Sequence, residues 1–75
     1  MKTEEDVKFI LELFNSNKLA EAKKEIDKQI TKYPKSSVLY NIRGAVLAGL
    51  NQLDQAVENY KKALTISPNY AQAYN

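Results

Sequence analysis

The sequence predicts an all-α fold in which antiparallel helical hairpins stack side by side as an α-solenoid fragment. Three observations carry that expectation: apolar residues recur at helical spacing, the chain matches itself at an offset of 34 residues, and a proline closes each repeat. The offset brings Asn17 onto Asn51, Leu19 onto Leu53, Ala22 onto Ala56, Ile30 onto Leu64 and Pro34 onto Pro68. It also sets Tyr40 and Asn41 onto Tyr74 and Asn75. The chain therefore reads as a single domain of two repeats, 3–36 and 37–70, followed by the start of a third over 71–75. Strand-like alternation is nowhere sustained.

Helices are expected over 4–15, 19–32, 37–50, 53–66 and from 71 onward. For the first, Thr3 is the expected N-cap, and Glu4, Glu5 and Asp6 place negative charge at the positive end of the helix dipole. Val7, Leu11 and Phe14 form a stripe at i, i+4, i+7, distinct from Ile10 and Leu13, so this helix is apolar on more than one side. Asn17 and Asn51 stand where helices must reverse, and asparagine tolerates the left-handed backbone such turns require. In the second helix Leu19, Ala22, Ile26, Ile30 and Tyr33 mark one face. Its opposite face carries the pairs Lys23 with Asp27 and Glu25 with Lys28, the spacing of a solvated, ion-paired surface. Pro34 ends it, and Pro68 ends the fourth, because proline lacks the N–H and clashes with the preceding turn. Ser36 or Ser37 caps the third helix. Leu39, Val46, Leu50 and Leu64 read as an apolar side that a complete third hairpin would help to cover. The stub from Ala71 to Asn75 is too short to be stable alone, since isolated helices need about 12–15 residues. Self-association is therefore expected, as a closed homodimer through the C-terminal end, an apolar groove, or both.

Composition excludes much. A chain of 75 residues buries only about 60% of the surface its unfolded form exposes, so its core is small. Cysteine and histidine are absent, which removes disulfides, thiolate nucleophiles, imidazole bases and the usual zinc ligands. Glu4, Glu5 and Asp6 are consecutive and point around a helix rather than converging on a cation. No metal, no cofactor and no enzymatic activity are expected. The net charge of +2 is carried mainly by lysines without interleaved aromatic platforms, which argues against nucleic acid. The longest apolar runs fall far short of the ~20 residues that span a bilayer, and no secretory signal is visible, so no membrane insertion and a cytoplasmic location are expected. Gly44 and Gly49 follow no strand and precede no Gly-Lys-Ser/Thr, so they read as packing glycines rather than a phosphate loop.

With these residues in place, the chain resembles the tetratricopeptide repeat, whose pattern W-x2-L-G-x2-Y, A-x3-F, P extends over 34 residues. In the second repeat Tyr40, Gly44, Leu47, Ala56, Tyr60 and Pro68 stand at the pattern positions, and Ala63 falls where the family prefers a small residue. Arg43 departs from the pattern by replacing leucine, leaving that site to the aliphatic stem of the side chain. In the first repeat Ala22, Ile26 and Pro34 match, whereas Asp6 and Ile10 replace the aromatic and the glycine. The physical logic is independent of the name. Gly44 and Ala56 are small where two helices approach closely, and Tyr40, Leu47 and Tyr60 fill the space on either side.

The resemblance implies a right-handed solenoid whose concave surface, lined by the first helix of each hairpin, receives a protein or peptide partner. Val7, Leu11 and Phe14 of the first repeat and Val38, Asn41, Ala45, Ala48 and Gly49 of the second should face it. Repeats that clamp chaperone carboxylates place Lys and Asn where this chain has Val7 and Leu11, and Asn where it has Ile42, so a carboxylate clamp is not expected. Repeats that bind peptide backbone through an asparagine ladder place that Asn at Ile42, with Asn41 one position away. The function expected is a protein–protein interaction module. The alternatives are a self-assembling structural repeat, or the N-terminal arm of a larger enzyme such as a transferase.

Overall fold

The computed structural model describes residues 2–67, with side chains from Val7 onward, and these form four α-helices. They are α1 Lys2–Asn15, α2 Leu19–Lys32, α3 Ser37–Gly49 and α4 Leu53–Ile66. No strand occurs among the described residues. Pro68, the third-repeat start at 71–75 and the side chains of Glu4, Glu5 and Asp6 lie outside what is described. The first helix begins at Lys2, so Thr3 is a helical residue and not the expected cap. Nothing about threonine forbids this, because its helix propensity is only modestly below that of alanine.

Local chemistry sets the ends. Asn17 and Asn51 take φ values of 61° and 65°, the left-handed conformation. Around each, the backbone closes the same motif. Asn17 N donates to Phe14 O at 3.0 Å and Lys18 N to Leu13 O at 2.8 Å, while Asn51 N donates to Ala48 O at 3.0 Å and Gln52 N to Leu47 O at 2.8 Å. Both are Schellman closures that satisfy carbonyls the helix would otherwise leave unpaired. The reversal between α2 and α3 is different. Tyr33 precedes proline and sits at φ −129°, ψ 69°, outside the helical region that proline disfavours for its predecessor. Ser36 N donates to Tyr33 O at 3.1 Å, closing a turn with Pro34 in its second position. Ser67, before Pro68, repeats the extended geometry at φ −135°, ψ 87°. Of the two candidate serines it is Ser36 that caps α3, its Oγ accepting from Leu39 N at 3.3 Å.

Successive helices are antiparallel. Leu19 at the start of α2 meets Gly49 at the end of α3, while Asp27 further along α2 bonds Arg43. Between α3 and α4, Tyr40 lies under Lys62 and Gly44 lies against Tyr60. The core is one cluster of Ile10, Ala22, Ile26, Leu39, Ile42 and Val46, with Val7, Leu13, Phe14, Ile30 and Leu50 packed around it. This corrects the expectation that Leu39, Val46 and Leu50 await a third hairpin: they face the first hairpin, and Leu39 and Val46 are wholly buried. The periodicity located the apolar side of α3 but not the neighbour it meets. Tyr33, assigned to the buried face of α2, is exposed, because the chain leaves the helix at that residue to enter the proline turn.

Candidate binding surface

The surface of α3 divides into three arcs at helical spacing. Leu39, Ile42 and Val46 turn toward the first hairpin. Tyr40, Gly44 and Leu47, also buried, lie on the side that meets α4. A Cβ built on Gly44 would stand 2.7 Å from Tyr60 Cε1, so the backbone of α3 rests directly on that half-buried ring. Ala56 and Ala63 are buried on α4, and Lys62 Nζ lies 5.2 Å from the centre of the Tyr40 ring, a cation–π distance.

The third arc of α3 carries Val38, Asn41, Ala45 and Ala48. Val38 is 39% exposed, although its neighbour Leu39 is fully buried. Asn41, Ala45 and Ala48 are half-buried, and the buried Oδ1 of Asn41 has no hydrogen-bond partner among the described residues. Gly49 is exposed, yet a Cβ there would lie 3.0 Å from Leu19 Cδ1, so its smallness also serves the contact between hairpins. Ile42, where clamp and ladder repeats carry asparagine, belongs to the core. On α1 the expected stripe is divided. Val7 and Phe14 pack against the core cluster beside Ile10 and Leu13, while Leu11 is 41% exposed. The first helix is thus less two-sided than its spacing suggested, because its core arc is broad enough to include Val7 and Phe14. Phe9 is exposed on the other flank, where it lines an open depression with Leu13, Glu21, Lys24, Glu25 and Lys28.

The polar side of the molecule holds both expected ion pairs, Lys23 Nζ to Asp27 Oδ2 at 3.1 Å and Lys28 Nζ to Glu25 Oε2 at 3.4 Å. It also holds a feature the sequence reading missed. Arg43 is not merely an aliphatic stem: its Nε donates to Asp27 Oδ1 at 2.7 Å and its Nη1 to Asn59 Oδ1 at 3.1 Å. The buried Asn59 in turn donates through Nδ2 to Gln55 O at 2.7 Å. Among the described residues no cluster of three or more His, Cys, Asp or Glu side chains is placed to hold a metal ion. No described helix is long and apolar enough to cross a membrane.

A family model described as TPR repeat matches residues 44–75, which take in the second half of α3, all of α4 and the segment beyond. No curated protein and no solved structure matches the chain.

Proposed function

We infer that this chain, a member of the tetratricopeptide-repeat family by its matched repeat and four-helix architecture, is a protein-interaction module that receives its partner on the surface of α1 and α3. The observation that carries this reading is the pairing of fully buried with exposed neighbours, Ile10 beside Leu11 and Leu39 beside Val38. Each helix completes its core and still presents an aliphatic side chain to solvent, and we take Leu11 and Val38 as parts of one apolar contact surface. To these we add Ala45, Ala48 and Gly49 of α3 beside Val38, with Val7 and Phe14, which also pack against the core, at the edge of the surface. None of these residues is charged, so the partner is a neutral, largely apolar extended segment rather than an acidic terminus. No intrinsic catalysis is proposed, since neither imidazole nor thiol is available.

The test is retention of the chain on an array of extended peptides, half neutral and apolar and half ending in acidic residues. Binding to the apolar set is expected, weakened at least about tenfold (about 1.4 kcal/mol) by Leu11→Asp or Val38→Asp with helicity unchanged. Equal binding by both variants, or retention on the acidic set alone, defeats the reading.

A second reading, self-association, is favoured by one observation. Leu53 and Val57 on α4 are 57% and 48% exposed, and Leu53 is the repeat equivalent of Leu19, which seats against the next helix at Gly49. A second copy could cover this face. Light scattering that reports a dimer which Leu53→Glu dissociates would support it; a monomer at high concentration would remove it.

A further inference from the structure

Arg43 stands where α2, α3 and α4 meet. One edge of its guanidinium is held inside its own hairpin by Asn59 on α4, and another reaches Asp27 on α2 of the neighbouring hairpin. Both partners are themselves fixed. Asn59 has committed its amide to Gln55 O, which leaves its oxygen facing Arg43, and Asp27 is also engaged by Lys23. The apolar contact between the hairpins, by contrast, is made by Ile26, Leu39, Ile42 and Val46. Hydrophobic burial is non-directional, so small rotations of one hairpin over the other leave most of it intact. A planar guanidinium with donors at fixed angles is directional.

We propose that Arg43 is a positioning residue that sets the angle at which the second hairpin rests on the first. The side chains of Arg43 and Asp27 are 26% and 42% exposed, and partly solvated pairs of this kind contribute little to stability. Orientation, not cohesion, is what this contact supplies. The 34-residue offset places Phe9 where Arg43 stands, Lys61 where Asp27 stands and Glu25 where Asn59 stands, so none of these three positions repeats the residue that makes the contact. Because α1 and α3 lie on opposite sides of the junction, the angle also sets the spacing of Leu11 and Val38. Only that consequence rests on the binding reading above.

The absence of cysteine makes the test direct. Lys24→Cys on α2 and Lys61→Cys on α4, both exposed, carry spin labels in the full chain, and pulsed electron paramagnetic resonance reads the distance between them. Arg43→Met keeps the stem without its donors, and Asp27→Ala removes the acceptor oxygens on α2 while leaving the Arg43–Asn59 bond. The expected result is a broadened or displaced distance distribution in both variants, with circular dichroism unchanged. High salt is expected to broaden the parent distribution as well, since the exposed part of the pair is screened. If Arg43→Met does not fold, Asp27→Ala decides alone. A distribution for Asp27→Ala that superimposes on the parent overturns the proposal. No partner is present in this experiment, so its failure is separate from failure of the binding surface.

Discussion

At Gly44 the second hairpin leaves no room for a methyl group. Two opposing effects meet there. Alanine in place of a helix-interior glycine is ordinarily favourable by about 0.5–1 kcal/mol, whereas overpacking a closed contact costs about 1–3 kcal/mol. The Cβ would fall within 2.8 Å of two ring atoms of Tyr60, a rigid, half-buried ring, so the steric term wins. Gly44→Ala is expected to lower thermal stability and Gly44→Leu to lower it further; an unchanged or raised melting temperature for Gly44→Ala would show that the ring can move aside. Asn51 offers the opposite sign within one position. Left-handed backbone costs ordinary L-residues about 1–2 kcal/mol and glycine nothing. Asn51→Ala should therefore destabilise by about 1 kcal/mol while Asn51→Gly is neutral or stabilising in chemical denaturation, and the same order is expected at Asn17.

Among the elements, α3 is the only one of α2–α4 whose N-terminus is closed by a side chain. Lys18 and Gln52 precede α2 and α4 without a side-chain cap bond, the Schellman turns having already fixed the chain direction, whereas Ser36 follows a proline turn and accepts from Leu39 N. Ser36→Ala should cost about 1 kcal/mol, and since Leu39 lies in the core the loss should appear in global unfolding and not only as fraying. Ser37→Ala is the control, expected to be near neutral. The same contrast explains what the sequence made legible. Asn17, Asn51, Pro34 and the Lys23–Asp27 spacing act within a turn or two of chain, so their outcome could be read from residue type and position. Arg43 acts across 16 residues in both directions, to Asp27 and to Asn59, and neither partner recurs at the repeat offset. Neither helical periodicity nor the 34-residue period can register such a contact. The division of the α1 stripe was hidden for a related reason: spacing gives the angle of Val7 and Phe14 around the helix, but not the width of the surface that α2 and α3 present to it.

At the scale of the molecule, the two hairpins do not own separate cores. Ile10 and Ile26 from the first are buried in the same cluster as Leu39, Ile42 and Val46 from the second, so the first hairpin alone would expose most of what it buries. Burying one such side chain contributes about 1.5–3 kcal/mol, and a domain this small has only a few kcal/mol in hand. Within the stack, however, the ends are unequal. The α3–α4 pair is joined by backbone against ring at Gly44 and Tyr60, by the Lys62–Tyr40 contact and by Arg43–Asn59. Among the described side chains no hydrogen bond or ion pair ties α1 to the rest, which leaves it held by apolar packing of Val7, Ile10, Leu13 and Phe14. Stacked repeats are stabilised by unit and nearest-neighbour terms, so the element with the fewest specific ties opens first. Hydrogen exchange should therefore show the amides of α1 exchanging ahead of those of α3 and α4. Leu39→Ala, a cavity expected to cost about 2–5 kcal/mol, should release α1 and α2 while α3 and α4 retain residual protection. Uniform loss of protection from α1 to α4 in that variant would mean that the chain unfolds as one unit and that the junction between hairpins is as strong as the hairpins themselves.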